Sequence, residues 1–356
     1  MYSDLEMVCI SPLRSIRDAM RLIDRNSKGI VLVVDDRRRL MGTVTDGDIR
    51  RAMLVSLDIS LPVQVLLDNG DCRPNPSSTT ALAGTSESEL LALMNRDLLR
   101  QIPLLDEQGR VVDLVTLNDL AQDLDSPVKA VVMAGGHGHR LRPLTETVPK
   151  PMLPVGDRPM MELIINQLRE VGFRQVHVTT HYKAEIIKQH FGDGRDHGVE
   201  IKYLGEDEPL GTAGALCSLG RSDGPVLVVN GDILTTVDFR AMWDFHHDHA
   251  ADMTVAVKQH ETRIPYGVVE TSGVDIMGIS EKPVVRHFVN AGIYVLSPEV
   301  CALIPEGRRY DITDLITQLI TKRYRVISFP VREYWQDIGR IEDYERALAD
   351  FQKGEI

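Results

Sequence analysis

AVVMAGGHGHRLRPLTETVPKPMLPVG, residues 130–156, is the stretch from which the rest of the chain is read. It continues an apolar, β-branched run, Val128–Met133, and meets Gly135 and Gly136 at once. A buried parallel strand running into a tight loop has this form. Gly135, Gly136 and Gly138 have no Cβ, so the backbone can bring N–H groups close to a ligand. Arg140 and Lys150 add two cations to the same segment, and oriented amides plus cations suit phosphate oxygens. An ordinary strand–loop turn with solvated cations would explain the glycines alone. No Gly-Lys-Ser/Thr is present, which excludes a Walker A loop, and no third glycine stands at the dinucleotide-fold spacing after Gly136 and Gly138.

Beyond this loop, strand and helix patterns alternate with short connections. Met160, Ile164, Leu168 and Val171 recur at helical spacing, with Gly156 or Asp157 as the cap and Pro159 in the first turn. Strands are expected at Gln175–Thr179, Ile201–Leu204 and Pro225–Asn230, and helices at Ala184–Phe191, Gly211–Leu219 and Asp238–His249. Residues 128–356 therefore read as an α/β domain with an open, mostly parallel sheet, whose ligands sit beyond the carboxyl ends of the strands. The second half is less regular, with strands expected at Tyr266–Glu270, Val289–Leu296 and Tyr324–Pro330 and helices at Asp311–Lys322 and Ile341–Phe351. Asp232 follows Val226–Val229 through Asn230-Gly231. A carboxylate there can hold Mg2+, which prefers oxygen ligands, or simply cap a turn. His246, His247 and His249 at a helix end read as complements of the helix dipole rather than as zinc ligands.

The longer string is more specific than its glycines. GGHGHRLRPLT followed by VPKPMLPVGDRPM closely resembles the GGxGTRLxPLT…PKPM signature of sugar-1-phosphate nucleotidylyltransferases, with His139 where that family usually has Thr. The resemblance implies a Rossmann-like nucleotidyltransferase fold. It implies transfer of a nucleotidyl group from an NTP to a sugar 1-phosphate, with release of pyrophosphate. Arg140 and the amides at Gly135, Gly136 and Gly138 would meet the leaving pyrophosphate, and Lys150 the α-phosphate. Asp232 of VNGD and Asp337 of Trp335-Gln336-Asp337-Ile338-Gly339 match the family's Mg2+ positions. In Glu281-Lys282-Pro283, Glu281 would bond sugar hydroxyls and Lys282 the sugar phosphate, with Gly267 and Asn290 at further sugar positions. The segment Leu210–Leu216, with Gly211, resembles the one that contacts the nucleoside. The rival reading is a regulatory protein that binds sugar nucleotide without turnover because of His139.

Residues 1–125 are a different object. Val34–Asp48, VDDRRRLMGTVTDGD, aligns without a gap to Leu105–Asp119, LDEQGRVVDLVTLND, 71 positions on. Each copy has a helical pattern (Ile16–Asp24; Glu89–Leu99), an apolar strand (Ile30–Val34; Ile102–Leu105), a charged turn, a second strand and a helix start. Two small α/β units, about 1–60 and 61–125, packed on each other are expected, with joints at Leu67–Thr85 and Asp123–Pro127. The pair resembles tandem CBS domains through Gly42-x-x-Thr45-x-x-Asp48 and Thr116-x-x-Asp119, with Asp113 in place of the glycine. That resemblance implies Thr45, Asp48, Thr116 and Asp119 as ligands of an adenine nucleotide; helix N-caps explain the same residues. A CBS pair ahead of such a transferase resembles guanylyltransferases that act on glucosamine 1-phosphate, with mannose 1-phosphate guanylyltransferase as the near alternative.

The whole chain has 356 residues and a formal net charge of −12. That balance argues against nucleic acid or an anionic membrane as the main partner. Cys9, Cys72, Cys217 and Cys301 are widely spaced and form no CxxC, as expected of reduced thiols in a cytoplasmic protein. The acidic start MYSDLEMVCI does not read as a signal peptide. A homo-oligomer is expected, because CBS pairs associate.

Overall fold

The computed structural model describes residues 5–69, 78–97, 99–120, 128–206, 208, 210–220, 222 and 224–356. Residues 70–77 of the first expected joint and all of the second (123–127), along with Cys72, lie outside the described residues. Contacts divide the chain into two compact units, Met1–Leu124 and Asp125–Ile356.

In the first unit the duplication holds element by element. The helix Ile16–Asn26 and the strands Ile30–Val34 and Leu40–Thr45 recur 71 positions on, as Glu87–Asp97, Gln101–Leu105 and Val111–Thr116. Each half is a three-stranded sheet whose middle strand pairs in parallel with a short first strand and antiparallel with the third. Even the register irregularity repeats, between Val33 and Val34 and between Leu104 and Leu105. The two charged turns meet: Arg39 bridges to Arg110, its own repeat image, while Leu40 N–H donates to Gly109 O and Val111 N–H to Arg38 O. Beneath them Ile30, Leu32 and Val34 of one half share a core with Val111 and Leu114 of the other. Each copy thus buries an apolar face that it could not cover alone.

The second unit is built on a seven-stranded sheet. Its strands, numbered here in chain order, are β1 (Lys129–Met133), β2 (Gln175–Thr180), β3 (Glu200–Gly205), β4 (Val226–Asn230), β5 (Met253–Arg263), β6 (Val284–Leu296) and β7 (Val326–Val331). Their spatial order is β3-β2-β1-β4-β6-β5-β7. All run parallel except β6, which is antiparallel to both its neighbours. Alternation along β1 sorts the core into two layers. Ala130 and Val132 pack with Met161, Ile164 and Leu168 of the helix Met160–Glu170. Val131 faces the other way, toward Leu315 and Leu319 of the helix Ile312–Thr321. Each such buried valine or leucine contributes about 1.5–3 kcal/mol.

Three local features differ from the sequence reading. Gly156 and Asp157 form the turn between the two-residue strands Pro154–Val155 and Arg158–Pro159, so the cap is Pro159 and the helix starts at Met160. Gly211–Leu219 is one helical turn followed by a 3-10 segment. There the N–H groups of Ala213 and Gly214 both donate to Tyr310 O, so a tertiary acceptor shapes the turn. The outer halves of β5 and β6, with the hairpin Gly267–Ser272/Asp275–Glu281, form an exposed arm. Of its hairpin the sequence reading contains only the strand at Tyr266–Glu270; with both faces solvated, apolar residues such as Ile276, Met277 and Ile279 follow no buried-face alternation.

Candidate active site

The carboxyl ends of β1 and β4 lie side by side because the strands pair in parallel, Asn230 opposite Met133. Gly231 N–H then donates to Met133 O at 2.9 Å, and a Cβ on Gly231 would stand 2.8 Å from that same oxygen. Only glycine lets the chain turn so tightly against the end of β1, and the turn delivers Asp232. The next strand, Ile233–Thr235, pairs antiparallel with Trp335–Asp337, Ile233 opposite Asp337. Ile338 N–H donates to Asp232 O at 3.0 Å. Two aspartates far apart in sequence are thereby adjacent. Trp335 Nε1 donates to Ala291 O at 2.8 Å and ties this strand pair to β6.

Lys150 reaches the pair from the other side. Its Nζ lies 2.6 Å from Asp232 Oδ2, and the residue is only 7% exposed. Partial burial of the carboxyl, and then the charge of Asp232, push Asp337 above the usual carboxylate range, while Lys150 and Arg140 pull it back. Water still reaches Asp337, which is exposed. Arg140 completes the group. A Cβ on Gly339 would lie 3.9 Å from Arg140 Nη1 and 3.7 Å from Asp337 Oδ2, so both side chains flank one stretch of backbone. Two adjacent carboxylates that repel each other fit a hard divalent cation such as Mg2+, which binds through few carboxylates plus phosphate and water. Among the described residues no group of three or more His, Cys, Asp or Glu converges as a metal cage.

The glycine loop is held from below. Gly138 adopts a left-handed φ of 65°, and Thr145, 1% exposed, donates its hydroxyl to Gly138 O at 2.8 Å. Tyr182 Oη donates to Thr145 O at 3.2 Å. Gly136 is exposed, while Gly135 lies against Glu206 and His181. Glu206 Oε2 accepts from Leu210 N–H at 2.9 Å and so anchors the turn that begins at Gly211. Asp311 Oδ1 accepts from Thr212 N–H at 3.2 Å on the far side of that turn. Gly135 and Gly211 are therefore joined through Glu206 into one wall.

The remaining expected residues sit on the arm and at its base. Gly267 is paired with Glu281, and Lys282 N–H donates to Tyr266 O at 3.2 Å. Lys282 Nζ is 3.9 Å from Glu281 Oε1, with the side chains 62% and 71% exposed. No described contact joins Gly267, Glu281 or Lys282 to Arg140, Lys150, Asp232 and Asp337. Asn290 is closer in: its Oδ1 accepts from Gly292 N–H at 2.9 Å. Burial pushes the Tyr294 phenol up to about 12; its hydrogen bond with Asn290 opposes that shift and the charge of Asp232 adds to it. Tyr294 thus bonds Asn290 and feels the charge of Asp232. Glu206, Thr145, Asp311 and Tyr294 were not singled out from the sequence. Two of them left a signal there: Thr145 closes the quoted GGHGHRLRPLT string, and Glu206 is a carboxylate just past the end of a strand.

In the first unit, Thr45, Asp48, Thr116 and Asp119 form two matching capping boxes. Thr45 Oγ1 donates to Asp48 Oδ2 at 2.8 Å, and Thr116 Oγ1 to Asp119 Oδ2 at 2.8 Å. Arg51 pairs with Asp48, and Lys28 Nζ lies 3.7 Å from Asp119 Oδ2. In the second unit, His246 on the helix Phe239–Asp248 and His249 at its C-cap have local roles as well. His246 Nδ1 meets Thr254 Oγ1 at 2.8 Å, and His249 Nδ1 meets Phe245 O at 2.8 Å.

Residues 129–354 match the family model described as nucleotidyl transferase. The chain belongs to that family. As a nucleotidyl transferase it carries its glycine loop, Lys150 and both aspartates inside the matched region. Residues 3–55 and 70–126 match the CBS domain. A mannose-1-phosphate guanylyltransferase of Mycobacterium tuberculosis is 34% identical over 236 residues, 64% of this chain and 65% of the relative. A UTP–glucose-1-phosphate uridylyltransferase of Synechocystis is 34% identical over 250 residues, 64% of each. The match thus spans just under two thirds of the length of these relatives. Among solved structures, a Bacillus anthracis protein described as a glucose-1-phosphate thymidylyltransferase is similar at 26% identity and a TM-score of 0.52. That match covers 62% of this chain and 94% of the other. Among the described residues no helix is long and apolar enough to cross a membrane.

Proposed function

We propose that this nucleotidyl transferase joins an NTP to a sugar 1-phosphate, giving NDP-sugar and pyrophosphate. The observation that carries the reading is the strand pairing that sets Asp232 beside Asp337, with Lys150 at 2.6 Å, at the mouth of the glycine loop. An oxygen of the sugar phosphate attacks the α-phosphorus. A new P–O bond forms, the bond from the α-phosphorus to the bridging oxygen breaks, and its electron pair leaves with pyrophosphate. The attacker is already anionic, so no protein nucleophile is needed, and catalysis rests on positioning and charge neutralisation. Arg140 and the amides of Gly135, Gly136 and Gly138 receive the pyrophosphate. Lys150 neutralises the α-phosphate, and the turn at Gly211 backs the nucleoside. Lys282 on the arm takes the sugar phosphate, while Glu281, Asn290 and the Gly267 amide take sugar hydroxyls. Asp232 and Asp337 would hold Mg2+, which when bound neutralises charge on the reacting phosphates.

For the substrates, GTP with glucosamine 1-phosphate or mannose 1-phosphate is the favoured pair. It is supported by the CBS pair ahead of the transferase and by the similarity to a mannose-1-phosphate guanylyltransferase. The first unit is assigned an adenine nucleotide at Thr45, Asp48, Thr116 and Asp119, acting on the rate, and the protein is assigned to the cytoplasm as a homo-oligomer. Free thiols at Cys9, Cys217 and Cys301 agree with a reducing compartment. Pyrophosphate release, measured for each NTP against a panel of sugar 1-phosphates with magnesium or EDTA, is the test. Magnesium-dependent release with one pair is expected. Release with no pair, but with sugar nucleotide bound, would replace this reading by the regulatory one that His139 suggests. Unchanged rates and no binding with AMP or ATP would make the repeat structural.

A further inference from the structure

Three histidines and a tyrosine gather over the glycine loop, and the reaction described above uses none of them. The His137 and His139 rings stack with centroids 5.2 Å apart and planes 9° apart. His181 meets His137 edge-on at 5.3 Å, and Tyr182 lies 5.2 Å from it on another side. His181 Nδ1 is 2.8 Å from Glu206 O. A carbonyl can only accept, so that nitrogen carries the hydrogen. The cluster sits between the two parts of the wall, since Gly135 touches both His181 and Glu206, and Glu206 anchors Leu210. His139 also stands where the signature that this loop resembles has a threonine.

The charges around the cluster are mostly positive. The loop itself supplies His139, Arg140, Arg142 and, behind Gly138, Lys150. The segment after β2 supplies His181 and Lys183, whose Nζ is 5.4 Å from the Tyr182 ring. The segment after β3 is acidic, Glu206-Asp207-Glu208, and Glu206 is the one that faces Gly135. Burial first, and then His181, His139 and Arg142, hold His137 below the usual histidine range. Without a ligand this crowd of cations opposes a proton on His137. A polyphosphate in the loop reverses the local field and favours one.

We propose that His137 and His139 are nucleotide-binding residues whose stacked imidazoles take up a proton when the NTP phosphates enter the loop, so that nucleotide affinity rises as pH falls. The inference rests on the reading of the loop as the NTP phosphate site. One consequence is directional. Pyrophosphate departs from a loop that has gained a proton, and neutral to alkaline pH speeds its release.

The test is calorimetric titration of the full-length protein with GTP, UTP, ATP and dTTP, each with magnesium and no sugar phosphate. It is run at pH 7 in buffers of different ionisation enthalpy. Uptake of about half a proton or more per bound nucleotide is expected, together with roughly tenfold tighter binding at pH 6 than at pH 8. The γ-phosphate titrates in the same range, so the H137N/H139T double variant is titrated alongside, with its fold checked by thermal melting. It should bind with little uptake beyond that of the nucleotide. Binding with equal proton uptake in wild type and double variant overturns this proposal and leaves the site assignment standing. A double variant that fails to fold shifts the decision to H139T alone, in which a loss of uptake is expected and unchanged uptake counts against the proposal. Failure of all four nucleotides to bind overturns both readings.

Discussion

Lys150 is the residue on which the site's electrostatics turn. It is nearly buried, it bonds Asp232 at 2.6 Å, and it offsets the burial and the Asp232 charge that raise Asp337. A lysine in this position costs desolvation, which two facing carboxylates repay. Its removal strips a cation from the place where negative charge concentrates during transfer. Lys150→Ala is therefore expected to lower kcat by about a hundredfold or more. Thermal unfolding of the variant should stay within a few degrees of wild type, because Asp232 keeps its backbone partner Ile338. Near-normal turnover in a pyrophosphate assay would remove Lys150 from the chemistry.

At the scale of elements, the decisive unit is the pair of short strands Ile233–Thr235 and Trp335–Asp337. Three residues on each side cannot hold themselves together in water. They persist because Thr235 Oγ1 donates to Tyr334 O at 2.7 Å and Trp335 Nε1 donates to Ala291 O at 2.8 Å. Trp335→Phe keeps most of the packing and deletes one hydrogen bond. It should cost about 1 kcal/mol in urea unfolding. It should also raise the magnesium concentration needed for half-maximal rate, since the spacing of Asp232 and Asp337 loosens. An unaltered magnesium dependence would show that the aspartates are positioned by other contacts.

For the whole molecule, acid sensitivity has a named source. His246 is 5% exposed; burial, with His247 adding, pushes it down to about 4 from the ordinary histidine value of 6.5. The unfolded chain binds that proton more readily, so the stability in question is fully present above pH 6.5 and is lost as pH falls toward 4. The slope from this one group is at most about 1.4 kcal/mol per pH unit. Asp337 has the opposite sense, since its raised value favours the fold at low pH. Denaturant unfolding between pH 7 and 4.5 should show the loss, and His246→Gln should flatten it. A variant as steep as wild type would place the acid sensitivity in other groups.

Much of this architecture was legible before any coordinates. The 71-residue repeat depends on residues adjacent in sequence, and its strands, helices and even its bulges follow the duplicated pattern. The strand before Gly135 was legible too, because β-branched residues and glycines act locally. The loop's two cations, Arg140 and Lys150, were legible for the same reason, lying on one segment. Other features depended on packing between distant parts of the chain. Gly211–Leu219 took its shape from Tyr310 O, and the second hairpin strand of the arm, Asp275–Glu281, has no buried face to impose an alternation. Asp232 and Asp337 could be named from the sequence through family motifs, but their adjacency came from a strand pairing between residues a hundred positions apart. The stacking of His137 on His139 against His181 and Tyr182 was likewise a product of the parallel sheet. Local composition set which residues could do the chemistry. The order of the strands set which of them meet, because long-range pairing follows from burying both faces of the sheet at once.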